Sequence, residues 1–151
     1  MIHLGLIGFP LGHSLSPAVH NAALRACGLS GDYSLFPVQP DDQQGLQDLL
    51  ARVRDGDLHG LNVTIPHKQN VIEFMDELTP TAQAIGAVNI IYMKNDALIG
   101  DNTDAPGFLS DLNRFLSETQ SKLVNRKSVI VLGAGGSARA VVYALLNDDW
   151  N

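Results

Sequence analysis

The stretch that decides the fold is IHLGLIGFPLGHSLSPAVHNAALRACGLSGDYSLFPV, residues 2–38. Its first seven residues are an apolar run, which predicts a buried strand that ends in a glycine-containing turn. Ser16 followed by Pro17 is typical of a helix start, and Gly28 of the left-handed residue beyond a helix end. Residues 33–38 form a second apolar run. The stretch therefore predicts a strand, a helix and another strand in succession.

The same alternation continues beyond this unit. Asp41 and Asp42 open a second predicted helix, and residues 61–65 predict a strand that Pro66 ends. Residues 88–93 and 97–100 predict a hairpin, and a helix is expected from Asp104 to about residue 116. Alternating strands and helices are typical of a mostly parallel sheet that helices cover, so the predicted fold class is α/β.

The first two predicted helices carry apolar residues at helical spacing, which indicates one buried face on each. The residues predicted to point inward are Val19, Ala22, Ala23 and Ala26 in the first helix and Leu46, Leu49, Leu50 and Val53 in the second.

After the sheet, the sequence predicts the start of a second domain. Residues 117–127 are polar and are typical of a connection, and residues 129–132 predict a buried strand. We therefore expect a first domain at residues 1–104 and a connecting helix and linker at 105–127. Residues 128–151 would form the first strand, glycine-rich loop and helix of a Rossmann-type domain.

Composition excludes several classes of protein. The net charge of −6 argues against non-specific nucleic-acid binding, because no basic surface would neutralise phosphates. No apolar run reaches the roughly 18 residues of a membrane span. Cys27 is the only cysteine, and the five histidines show no metal-ligand spacing, so we expect no metal site. These features favour a cytoplasmic protein.

The loop GAGGSA, residues 133–138, fits the dinucleotide-binding fingerprint G-x-G-x-x-G/A. The first glycine permits the tight turn, the second lets the backbone approach a pyrophosphate, and the small last residue lets helix pack on strand. The alternative is a tight turn between a strand and a helix with no ligand. The residue that would choose between NADP and NAD is expected about 20 residues further on, beyond Asn151.

Three further motifs carry polar residues next to predicted element ends. In NVTIPHK, Asn62 and Thr64 share one strand face and Lys68 follows, which indicates either a ligand site or a solvated edge strand with a surface lysine. In GDNTDAPG, Asp104 either caps a helix or faces Lys68 as a proton-relay partner. In GHSLSP, either Ser16 simply caps the helix, or Ser14 and Ser16 together bind a carboxylate.

Five motifs, GHSLSP, NVTIPHK, GAVN, GDNTD and VLGAGGSAR, follow one another between Gly12 and Arg139. In this order and spacing they resemble the shikimate dehydrogenase family, over essentially the whole chain. The resemblance implies reversible hydride transfer between NADPH and 3-dehydroshikimate, which gives shikimate for aromatic amino acid biosynthesis.

The resemblance also implies a role for each matching residue. Ser14 and Ser16 would bind the substrate carboxylate, and Lys68 and Asp104 would form the catalytic pair. The other residues implied to line the substrate pocket are Asn62, Thr64 and Asn89. Those implied to bind the cofactor are Gly133, Ala134, Gly135, Gly136, Ser137 and Ala138.

Family members continue through the rest of a nucleotide-binding domain. We therefore expect the chain to be an amino-terminal portion of such a protein, without turnover by itself. Two rival interpretations stay open: a quinate/shikimate dehydrogenase that uses NAD, and a non-catalytic shikimate-binding module.

Overall fold

A computed structural model describes residues 1–118 and 128–150 of the chain. The strands are β1 (Ile2–Gly8), β2 (Gly31–Pro37), β3 (Gly60–Val63), β4 (Glu77–Leu78), β5 (Ile90–Lys94) and β6 (Ala97–Asp101). The helices are α1 (Ser16–Ala26), α2 (Gln43–Arg54), α3 (His67–Asn70), α4 (Pro80–Ile85), α5 (Asp104–Glu118) and α6 (Gly136–Leu146), with a 3₁₀ turn at Val71–Phe74.

The described strands form one six-stranded sheet in the order β2-β1-β3-β5-β6-β4. β1 pairs in parallel with both β2 and β3, and β4 pairs in parallel with β6. β5 is antiparallel to both of its neighbours, so it alone runs against the others. The predicted α/β class with a mostly parallel sheet is confirmed.

The reversed strand β5 follows from the hairpin that joins it to β6. Asn95 and Asp96 form the two-residue turn, and both have positive φ, 51° and 61°. This is the backbone that a tight hairpin needs, and Asn and Asp tolerate it better than most residues. The predicted hairpin is therefore present, with its turn at the predicted place.

The two predicted apolar helix faces have different outcomes. All four inward residues of α2 are buried in the main core, as expected. In α1 the prediction was wrong: Leu24 is the buried residue, and Val19 is 61% exposed. The four residues predicted to point inward lie on a face of α1 that no element in the described part of the chain covers.

The predicted strand at residues 129–132 was also wrong, because these residues form no strand in the structure. Ile130 is 86% and Leu132 93% exposed. A strand is held by hydrogen bonds to a neighbouring strand, and none lies beside this segment in the part that the structure describes. The helix after the glycine loop does form, as α6.

α6 lies against the end of the first domain through a second, smaller core. Ala140 and Ala144 pack with Ile85, Ala87 and Ala105, which belong to α4, the segment after it and α5. Of the predicted connection 117–127, residues 119–127 lie outside the described residues. The division into 1–104, 105–127 and 128–151 stays a prediction.

Within residues 1–118 and 128–150, no helix is both long and apolar enough to cross a membrane.

Asn102 joins β6 to α5 and is buried, with 2% of its surface exposed. Its Oδ1 accepts hydrogen bonds from the backbone N–H groups of Asp104, at 3.0 Å, and Ala105, at 3.4 Å. Its Nδ2 donates to the carbonyl of Ala87, at 2.9 Å. One carboxamide thus caps α5 and ties the segment that follows α4 to the same point.

We predict that Asn102→Ala lowers the free energy of unfolding by about 2–3 kcal/mol, because it removes a helix cap and leaves the buried Ala87 carbonyl without its donor. Urea denaturation measures the change. Asn113→Ala, at an exposed position of the same helix, is the matched control and is expected to change little. Equal effects of the two substitutions would contradict the capping role.

Candidate functional site

Asn62 and Thr64 lie at the carboxyl end of an interior strand. β3 sits between β1 and β5, so the alternative of an edge strand with a solvated face is wrong. The N–H of Thr64 donates to the carbonyl of Ile7 at 2.9 Å, which holds the residue after β3 against the end of β1. Polar side chains at this edge of a parallel sheet are where ligands commonly bind.

Lys68 and Asp104 meet, although 36 residues separate them in the chain. The Lys68 Nζ donates to Asp104 Oδ2 at 2.6 Å, and the two side chains are 15% and 31% exposed. Because Asn102 caps α5, the Asp104 carboxylate is not used as the cap and is directed to Lys68 instead. Between the two alternatives for Asp104, the geometry favours the one in which it faces the lysine.

Asn89 supports this pair from the segment before β5. Its Nδ2 donates to Asp104 Oδ1 at 2.8 Å and to Thr103 Oγ1 at 3.0 Å, while its Oδ1 accepts from the Thr103 N–H at 2.9 Å. Asn89 therefore fixes the second oxygen of Asp104. Its predicted contact with substrate stays a prediction.

Ser16 does not cap α1 through its side chain. The residue at the N-cap position is Leu15, and no side chain hydrogen-bonds to the first turn from there. The Ser16 N–H, the first of α1, donates to Ser14 Oγ at 3.3 Å. The alternative of a plain cap by Ser16 is therefore not observed.

Tyr33 joins α1 to β3, and no sequence motif indicated it. Its hydroxyl donates to Asn62 Oδ1 at 2.8 Å, and its ring stacks on His20 with centroids 4.2 Å apart. This bond holds the carboxamide in place and leaves its Nδ2 as a donor for a ligand. A tyrosine in an apolar strand carries no signal that separates this role from a core position.

Burial has the largest effect on the pKa of Tyr33. The side chain is 4% exposed, and burial raises its pKa to about 12, although the hydrogen bond with Ser16 acts in the opposite direction. The phenol therefore stays protonated and can donate to Asn62 throughout the physiological pH range.

The glycine-rich loop leads into α6 beside the lysine. Gly133 has φ +125°, which favours glycine, and Gly135 is the N-cap residue without a side-chain cap bond. Gly135, Gly136, Ser137 and Ala138 line a cleft of about 470 Å³ together with Thr64 and Lys68. Gly133 and Ala134 line a neighbouring cavity instead, on the side of α4.

The predicted residues thus form two clusters that β3 connects. Asn62 contacts the Tyr33 hydroxyl, Ser16 lies close enough to influence the pKa of Tyr33, and Ser14 contacts Ser16. Lys68, Asp104 and Asn89 gather at the start of α5. Among the described residues, no three His, Cys, Asp or Glu side chains are placed to share a metal ion.

This arrangement defines a class of protein: an α/β domain that presents a polar, lysine-containing cleft next to a dinucleotide-binding type of loop. The family model described as the shikimate dehydrogenase substrate binding domain matches residues 6–91. The chain belongs to this family, and the resemblance inferred from the five motifs is confirmed.

Similar proteins extend the match beyond that domain. The shikimate dehydrogenase (NADP(+)) of Oceanobacillus iheyensis is 39% identical over 150 residues, which are 99% of this chain and 53% of the relative. The crystal structure of shikimate dehydrogenase from Aquifex aeolicus has a TM-score of 0.85 at 40% identity, covering 98% of this chain and 53% of that one.

A structure of the Thermus thermophilus enzyme, in complex with NADP(H) and shikimate, has a TM-score of 0.82 at 38% identity and covers 99% of this chain and 54% of its own. The chain spans about half the length of the curated relatives that it matches.

The raised pKa of Tyr33 predicts a loss of stability in alkali. The unfolded tyrosine ionises near pH 10. In the folded chain burial raises the pKa of Tyr33 to about 12. The contribution of Tyr33 to the free energy of unfolding is therefore complete below pH 10 and is lost as the pH rises towards 12. We expect the free energy of unfolding to fall less between these pH values in Tyr33→Phe than in the parent.

Urea denaturation at several alkaline pH values measures this slope. Tyr92→Phe is the control, since Tyr92 lies on β5 and lines a different surface, next to Thr79 and Lys94. A Tyr33→Phe slope equal to that of the parent would show that Tyr33 ionises normally in the folded chain.

Proposed function

We propose that the protein containing this chain is a shikimate dehydrogenase that reversibly reduces 3-dehydroshikimate to shikimate with NADPH, in the cytoplasm. The observation that carries the proposal is the Lys68–Asp104 pair at 2.6 Å, at a cleft shared with the glycine-rich loop. The names of the relatives, and a similar structure that holds NADP(H) and shikimate, support the same reaction.

In this proposal the two clusters have different tasks. Ser14 and Ser16 donate hydrogen bonds to the substrate carboxylate, and the Asn62 Nδ2 donates to a substrate oxygen. Support comes from the Tyr33 hydroxyl, which donates to Asn62 Oδ1 and so holds the carboxamide in place. Thr64 extends the polar surface from these groups towards Lys68.

The proton step belongs to the second cluster. When bound, NADPH supplies the hydride to the carbonyl carbon. The growing negative charge on the carbonyl oxygen is stabilised by the Lys68 ammonium, which donates a proton to that oxygen. In the reverse direction, neutral Lys68 takes the proton from the hydroxyl of shikimate. Asp104 keeps the Lys68 Nζ in place, and Asn89 keeps Asp104 in place.

The loop residues fit the pyrophosphate part of the cofactor. A Cβ added to Gly135 would meet no atom within 4 Å, so its backbone is open to a ligand. The first amide N–H groups of α6 have no side-chain cap and are available to an anion. The preference for NADP over NAD rests on the names of the relatives.

The first test is substrate binding by the chain itself. We expect isothermal titration calorimetry to detect shikimate binding, and the double change Ser14→Ala with Ser16→Ala to weaken it at least about tenfold, because two donors to a charged group are lost. Ser110→Ala, on the exposed side of α5, is the control. Unchanged affinity in the double variant would remove the serines from the proposed site.

The second test separates proton transfer from binding in the full-length protein. Lys68→Met is expected to lower kcat by about 10²–10⁴ with a smaller effect on KM, because the proton donor is lost. Lys94→Met, at the hairpin, is the control. A loss confined to KM would make Lys68 a binding residue.

The same steady-state assays distinguish the rivals. A higher kcat/KM with NAD+ and quinate than with NADP+ and shikimate would favour the NAD-dependent alternative. If the full-length protein binds shikimate but turns over neither substrate, the result favours the non-catalytic shikimate-binding module.

A further inference from the structure

The first turn of α6 lies directly on the side chain of Lys68. A Cβ added to Gly136 would lie 3.1 Å from Lys68 Cβ, 3.2 Å from Lys68 Cδ and 3.2 Å from Ala87 Cβ. These distances are shorter than ordinary carbon contacts, so any larger residue would push the lysine stem or the backbone of α6 aside. The next residue adds a polar contact, in which Lys68 Nζ donates to Ser137 Oγ at 3.3 Å.

The dinucleotide fingerprint does not explain a glycine at position 136. Its required small residues are Gly133, Gly135 and Ala138, and Gly136 occupies a position where the pattern allows any residue. The two neighbouring glycines also differ in their surroundings. Gly135 faces open space, whereas Gly136 faces Lys68 and Ala87. The close contact with Lys68 and Ala87 therefore explains a glycine at position 136, which the fingerprint does not require.

Ser137 completes the surroundings of the lysine ammonium. The Lys68 Nζ carries three hydrogens, and the structure pairs it with Asp104 Oδ2 and Ser137 Oγ. Two of the three hydrogens take part in these hydrogen bonds, so the direction of the third is set by the other two. The side chain of Lys68 is thus held at its stem by Gly136 and at its tip by two acceptors.

We infer that Gly136 and Ser137 are positioning residues that set the place of Lys68, so that the nucleotide loop and the proton-transferring group move as one unit. The functional meaning of this contact rests on the proposed role of Lys68, although the contact itself does not. A ligand that shifts the first turn of α6 would shift Lys68 as well, which couples binding at the loop to binding at the substrate cleft.

The test reads Lys68 directly, with no need for turnover. In the chain labelled with carbon-13 lysine, the proton–carbon correlation of the Lys68 Cε group is one of four lysine signals and is assigned by its loss in Lys68→Arg. We expect Gly136→Ala and Ser137→Ala each to shift this signal. Gly135→Ala, whose added methyl lies in open space, is expected to leave it in place.

A Lys68 signal that stays at its parental position in both Gly136→Ala and Ser137→Ala would overturn the inference, as would an equal shift in Gly135→Ala. Ser137 is exposed, so Ser137→Ala keeps the test decisive even where the extra methyl at position 136 prevents folding. Shikimate titration of the same variants separates the two proposals. Shifted Lys68 signals without any shikimate binding by the parent chain would contradict the proposed function and leave the positioning role intact.

Discussion

The buried carboxamide of Asn102 is the interaction on which the rest of the site depends. An amide this deep in the protein must have its hydrogen bonds satisfied, and here it satisfies them with two N–H groups of α5 and one carbonyl beside α4. The segment that carries Asn89 and the helix that begins with Asp104 are thereby held against each other. Only because this cap exists is the Asp104 carboxylate available to a partner elsewhere.

From Asn102 the polar contacts extend towards the glycine-rich loop. Asn89 orients Asp104, Asp104 binds Lys68, and the lysine stem lies under the first turn of α6. A separate set of contacts, centred on Tyr33, orients Asn62 on the neighbouring strand end. The cleft that Thr64 and Lys68 share with the glycine-rich loop lies at the same strand end.

The sequence patterns predicted correctly those features that depend on residues close together in the chain. The apolar spacing of α2 placed Leu46, Leu49, Leu50 and Val53 correctly, because an aspartate cap and a sheet on one side leave that helix a single way to bury them. The same reasoning was wrong for α1, where Val19 is exposed. The strand predicted at residues 129–132 was also wrong, since a strand requires a neighbouring strand as its hydrogen-bonding partner, and local sequence does not supply one.

The sequence by itself determined the α/β class, the hairpin with its positive-φ turn, the family, and which polar residue types stand at the ends of β3 and β6. These follow from short-range periodicity, turn chemistry and motif order. Only the folded chain shows that β3 is interior, that Asn102 and not Asp104 caps α5, that the Tyr33 hydroxyl binds Asn62, and that Gly136 lies against Lys68. The physical reason is that each of these depends on a contact between residues far apart in the chain, which no local pattern encodes.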